Sequence, residues 1–266
     1  MQGSFRMKTF LKTSVAALVL GFLALAALRW IPVHIYDGFE SPGLSWSRWS
    51  THRLVPGAAV VQDKIVRTGQ SALAVTVRSG DRYEAASDDG AASERDELLE
   101  SWWLYSRTGE SYVYSFSVYL PRDFPQNALR LVIAQWKQLC MADSCRPDNP
   151  ILAIRYTGGR LSITRHDEHG SAVLYQGVDD VRGQWLDFRF VTRFDPGGQG
   201  SIDGSLDGRE IVHYRGPTVY QPARGYPRHG RVYFKFGLYR DALQQPPWTI
   251  YLDEYRKDQC AVSGCQ

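Results

Sequence analysis

The chain has 266 residues, with 31 Lys+Arg against 28 Asp+Glu and a formal net charge of +3. The excess sits in residues 1–26, which hold Arg6, Lys8 and Lys12 and no acid; the remaining 240 residues balance at 28 against 28. A neutral body excludes a strongly basic nucleic-acid binder and an acidic disordered chain, and 44% hydrophobic residues suffice for a buried core.

At the N-terminus the basic start precedes the apolar stretch Val15–Leu28, and Ala24-Leu25-Ala26 offers a small-x-small cleavage site. This is the tripartite export pattern, and the apolar core is shorter than the roughly 20 residues of a membrane span. Residues 1–28 are expected to be a signal peptide, with a retained helical membrane anchor as the alternative that Arg29 favours. Residues 29–266 then form a single exported domain, secreted or periplasmic. The cysteines Cys140, Cys145, Cys260 and Cys265 fall in two pairs of equal short spacing. Of the three connectivities, two local disulfides suit an oxidising compartment; a four-cysteine zinc site is the rival.

Strand follows strand along the body. Ser71–Arg78 alternates, with Leu73, Val75 and Val77 on one side. Tyr112–Leu120 sets Tyr112, Tyr114, Phe116 and Val118 against Val113, Ser115, Ser117 and Tyr119. Leu129–Lys137, Ile151–Tyr156 and Arg160–Arg165 are β-rich, and Thr157-Gly158-Gly159 joins the last two as a hairpin. Leu186–Phe194 alternates again. Ile202–Ile211 holds Asp203-Gly204 and Asp207-Gly208, both turn dipeptides. Arg231–Tyr239 and Thr249–Tyr255 close the series. Long helical periodicity is absent after the leader. The expected fold is all-β: a jelly-roll sandwich of two antiparallel sheets, one sheet having a face on the core and a face on solvent.

Three runs carry polar residues at period two. Arg231–Tyr239 sets Val232, Phe234, Phe236 and Leu238 against Tyr233, Lys235, Gly237 and Tyr239; the glycine leaves space for something to approach. In Leu129–Lys137, Val132, Ala134 and Trp136 share a face while Gln135 and Lys137 end the other. Arg95 and Glu97 share a side if their segment is extended. Glu94, Glu97 and Glu100 do not, given their three-residue spacing. Solvated strand faces often look like this.

Taken in order, Arg95-x-Glu97-Leu98, Gln135-Trp136-Lys137 and Tyr233-Phe234-Lys235-Phe236-Gly237-Leu238-Tyr239 resemble the three signature segments of jelly-roll polysaccharide lyases. The family 7 alginate lyases carry Arg-x-Glu-Leu, Gln-x-His and Tyr-Phe-Lys-x-Gly-x-Tyr segments. Tyr239-Arg240 and Ile133-Ala134-Gln135-Trp136 look more like the heparin lyase I and glucuronan lyase group. So do Tyr36-Asp37-Gly38-Phe39-Glu40 and Ile250-Tyr251-Leu252-Asp253, which fit its concanavalin-like domains.

The resemblance implies β-elimination on a uronic-acid polysaccharide that is glucuronan-, alginate- or heparin-like. A uronate C5 proton is weakly acidic while the adjacent carboxylate is charged, so donors must neutralise that carboxylate. Gln135 and Arg95 supply an amide and a guanidinium. Tyr239 is implied as base and then acid. Lys235, Tyr233, Glu97 and Arg240 are implied at the substrate. His52, which follows Trp46 and Trp49, is read from the sequence as a residue an N-terminal strand could carry beside the groove, with a surface or core histidine as the main alternative. The departure is Lys137, which stands where these relatives usually have histidine. A protonated lysine neutralises but does not accept a proton. One tyrosine can serve both steps where the C5 proton and O4 lie on the same side, as in glucuronate or mannuronate.

The expected partner is an anionic polysaccharide bound by a monomer. Neither nucleic acid nor a required cofactor is expected, no metal site is assigned, and membrane contact is expected only through an uncleaved leader. A structural calcium ion stays open. Two other functions also stay open: a non-catalytic polysaccharide-binding protein, favoured by Lys137, and a glycoside hydrolase on the same fold, disfavoured by the lack of a Glu-x-Asp-x-Glu run. His166 and His169 beside Asp167-Glu168 are read as a polar turn, with metal binding as the minor reading. Trp102-Trp103 is read as core or as a sugar-stacking pair.

Overall fold

Alternation of apolar and polar residues builds a sandwich, and each strand turns its apolar face inward. The computed structural model describes residues 33–51, 54–82, 93–126, 130–139, 149–221, 230–242, 246–261 and 264–265. The leader, His52, Cys140 and Cys145 lie outside the described residues. Among the described residues, no helix is long and apolar enough to cross a membrane. Residues 34–266 form one compact unit.

The back sheet runs β14 (Arg209–Arg215), β13 (Ser201–Leu206), β12 (Trp185–Arg193), β7 (Ser111–Tyr119), β16 (Trp248–Gln259), β4 (Ala72–Val77), β3 (Ala59–Gln62), with β1 (His34–Asp37) also on β16. The front sheet runs β11 (Gly170–Gln176), β10 (Arg160–Asp167), β9 (Leu152–Thr157), β8 (Leu131–Leu139), β15 (Arg231–Asp241), β5 (Ser93–Glu100), β2 (Trp49–Ser50), with β6 (Ser106–Arg107) also on β15. Every pairing is antiparallel.

The core between the sheets is aromatic. Trp136 from β8 and Phe234 and Phe236 from β15 meet Tyr114 and Phe116 from β7 and Phe190 from β12. The ring centroids are 4.8 Å apart for Phe116–Phe236 and 5.2 Å for Trp136–Phe190. All six are essentially fully buried, and each contributes about 1.5–3 kcal/mol by leaving water. This core fixes which face of the front sheet stays open.

Glu94 and Glu100, on the core side of β5, are paired. Glu94 accepts from Arg240 Nε and Nη2 at 2.8 Å. Glu100 accepts from Lys257 Nζ at 2.9 and 3.0 Å and from the Tyr255 hydroxyl at 2.6 Å, which ties β5 to β16 of the opposite sheet. The three glutamates therefore divide as their spacing requires.

Turns match the sequence in most places. Gly158 and Gly159, both at positive φ, form the two-residue turn between β9 and β10. Asp207-Gly208 turns β13 into β14. Asp203-Gly204 does not turn; it lies inside β13, where Gly204 makes room for Phe190. A register shift between Val132 and Ala134 puts Val132 opposite Tyr239 and Arg155, so Val132 leaves the face of Ala134 and Trp136. Cys260 and Cys265 form a disulfide.

The space at Gly237 is taken up by the protein itself. Its φ is +151°, and an added Cβ would lie 2.3 Å from the Asp96 carbonyl oxygen and 2.9 Å from the Glu97 Cα. The glycine lets β5 approach β15. Gly237→Ala is expected to lose about 3 kcal/mol or more of stability by forcing these strands apart, read from the midpoint of a urea transition.

Candidate active site

Directly opposed residues of antiparallel strands share a face, so register alone maps the open face of the front sheet. One rank across the sheet is Arg95, Tyr239, Val132, Arg155 and Ser162. The next is Lys235, Gln135, Ala153 and Thr164. Tyr233 opposite Lys137 belongs to a third rank, and Glu97 stands opposite Gly237. The three sequence segments thus meet on one floor.

Tyr239 is half-buried beneath two cations. The Arg95 guanidinium lies 4.2 Å and that of Arg130 4.8 Å from its ring centroid. Arg130 is itself held by Asp241 at 2.8 Å, and Arg95 Nη2 donates to Ser93 Oγ at 3.1 Å. Two cations this close to the ring favour its phenolate form over the neutral phenol.

Gln135 is fixed by Glu97. Its Nε2 donates to Glu97 Oε1 in a short hydrogen bond, while Lys235 Nζ donates to Glu97 Oε2 at 3.1 Å. All three are buried. Burial pushes the Glu97 carboxyl up, but Lys235, Arg95 and the Gln135 amide more than offset it and hold it below the usual carboxylate range. Glu97 is therefore an ionised anchor whose oxygens face protein donors. An amide has two N–H groups, so one Gln135 donor remains for a substrate.

Other expected site residues sit differently. Arg240 is a correction: it is fully buried on the core face, against Glu94, the Pro246 carbonyl and the Trp248 ring. The same alternation that exposes Tyr239 turns its neighbour inward. Lys235 is buried with Glu97 rather than open to solvent. Lys137 is half-buried, and Tyr233 packs against Tyr105 with ring centroids 5.3 Å apart and the rings tilted by 30°. Trp102 and Trp103 are not core; they form a 3-10 turn after β5 and are 69% and 42% exposed.

The sequence reading did not single out Arg130 and Arg155, and it placed His166 in a turn. His166 lies on β10, its N–H bonded to the Ile151 carbonyl at 3.1 Å. Burial, then Arg155 and Arg165, push its imidazole down, leaving it neutral at pH 7. A single arginine interrupting the apolar run Leu152–Tyr156 was the available signal for Arg155. Among the described residues, no cluster of His, Cys, Asp or Glu is arranged to hold a metal ion.

Behind Arg95, Asp96 accepts the Val55 N–H at 2.7 Å. Burial, opposed by that N–H and reinforced by Asp81, pushes its carboxyl up to about 8. Its second oxygen meets no donor, which is satisfied when Asp96 carries the proton and donates to Asp81. Folded protein then binds one proton more than unfolded chain between about pH 4 and pH 8, so this group's stabilisation is present at low pH and is lost as pH rises. Asp96→Asn is expected to raise stability at pH 8 by on the order of 1–3 kcal/mol and to flatten that slope. Asp253, pushed up to about 6 by burial, keeps its share of the slope in both proteins. Paired thermal melts at pH 5 and pH 8 measure the difference.

The fold agrees with known proteins. A family model described as polysaccharide lyase matches residues 42–256. Comparison with curated protein sequences returns no match. Among solved structures, the chain is similar to an endo-β-1,4-glucuronan lyase from the fungus Trichoderma reesei, at 16% identity and TM-score 0.67, covering 84% of this chain and 94% of that one. A family 7 alginate lyase aligns at 15% identity and TM-score 0.52, covering 78% and 85%. A cellulose-induced protein, Cip1, aligns at 16% identity and TM-score 0.52, covering 87% and 100%. With the jelly-roll sandwich in place and the family model spanning most of its length, the chain belongs to the polysaccharide lyase family.

Proposed function

We propose that this polysaccharide lyase cleaves a glucuronan-type polyuronate by β-elimination, with Tyr239 as the proton carrier. The observation that carries the reading is the placement of Tyr239 under Arg95 and Arg130 on the same open face as the anchored Gln135. Gln135 and Arg95 hold the uronate carboxylate, so that charge moving onto it from C5 is stabilised. Lys137 adds positive charge one rank away. The Tyr239 phenolate takes the C5 proton, the C4–C5 double bond forms, and the C4–O4 bond breaks. The same phenol then donates that proton to O4.

A single carrier suits a C5 proton and leaving group on one side, hence glucuronate or mannuronate rather than guluronate. Export is part of the proposal, supported by the N-terminal pattern and the Cys260–Cys265 disulfide. The test incubates the protein with glucuronan, alginate and heparin, following ultraviolet absorbance and reducing ends together. An unsaturated uronate absorbs. Reducing ends without absorbance, or equal activity on polyguluronate, would overturn the reading.

A further inference from the structure

Arg155 has an unusual place on the floor. It is half-buried on β9, in the same rank as Tyr239 and separated from it by β8. Its Nε donates to Thr164 Oγ1 at 2.9 Å, and among the described residues no carboxylate pairs with it. Burial and then Arg130 push its guanidinium down, opposed in part by the Tyr239 phenol across β8. His166, on the next strand, is neutral and offers no counter-charge. A charge withdrawn from water is ordinarily paired. Beyond the Nε bond to Thr164, Arg155 keeps further guanidinium donors, on the face of the sheet that carries Tyr239.

The opposite flank of Tyr239 is also cationic, through Arg95. Cations on both flanks match a polymer with an anion on each of two consecutive sugars. We infer that Arg155, with Thr164 beside it, forms a second anion subsite that binds the acidic group of the sugar adjoining the uronate being cleaved. The occupant is a carboxylate in a homopolymer of uronates, or a sulfate in an alternating sulfated chain. This rests on the proposed lyase reading and extends it from one charged sugar to two.

The test compares wild type with Arg155→Ala and Arg155→Lys on glucuronan and on heparin. For Arg155→Ala on glucuronan the expected result is a KM at least tenfold higher with kcat within threefold, and a steeply reduced salt dependence of KM. Arg155→Lys restores only part of the affinity, because it keeps the charge but loses the guanidinium fork. The same pattern on heparin alone would identify the anion as a sulfate. Unchanged KM in Arg155→Ala, or a fall in kcat with KM constant, overturns the subsite. Failure of the lyase reading shows in the wild type, as no ultraviolet product. Gel retardation by each polymer then decides the subsite: equal retardation of wild type and Arg155→Ala, or none, overturns it.

Discussion

Tyr239→Phe is expected to lower kcat on glucuronan by about 10³-fold or more, with KM and melting temperature little changed. Positioned acid–base groups contribute roughly 10²–10⁴-fold each, and here one phenol is proposed for both proton transfers. The substitution removes only the hydroxyl. The ring that Arg95 and Arg130 stack on remains, at 4.2 and 4.8 Å from the two guanidiniums, and a phenyl face attracts cations as a phenol face does. Tyr239 is half-buried and outside the aromatic core, so the melting curve should not move. Ultraviolet product formation in steady state, beside circular dichroism, separates the outcomes. Activity retained in the phenylalanine variant would remove Tyr239 from the mechanism. A fall in activity with a matching fall in melting temperature would assign it a packing role instead.

Period two made much of this site legible. Tyr233, Lys235 and Tyr239 could be placed on one face of β15 because Val232, Phe234, Phe236 and Leu238 had to face the core. Arg240 obeys the same rule: alternation puts it with Leu238 on the core face, and its place just after the Tyr-x-Lys-x-Gly-x-Tyr motif says nothing about which way it faces. Arg130 and Arg155 were illegible for a different reason. Their relation to Tyr239 passes through strand register and a bulge at Val132, and neither follows from one-dimensional spacing. Gly237 signalled a close approach, but only coordinates show that the approaching group is the β5 backbone. The burial of Lys235 was hidden because a lysine on an open strand face is ordinarily solvated; the carboxylate that permits burial arrives from another strand.

Glu97 joins stability to activity at that point, and variants at Glu97 and Lys235 can separate the two. Glu97→Leu removes the carboxylate that the buried Lys235 ammonium donates to and is expected to cost about 3–5 kcal/mol. Lys235→Met alone leaves the carboxylate with the Gln135 amide and the nearby Arg95, so it is expected to cost less than Glu97→Leu. The double variant removes both charges from an enclosed position, and such replacements are often neutral or stabilising. Its stability should therefore return to within about 1–2 kcal/mol of wild type, a coupling measurable by a urea double-mutant cycle. Activity should not return, because Gln135 has lost the acceptor that orients its amide. If Gln135 presents its second N–H to the substrate carboxylate in the transition state, kcat falls in the double variant while KM moves little. Recovery of both stability and kcat would reduce Glu97 to a partner for Lys235. Recovery of stability alone makes it the residue that positions Gln135.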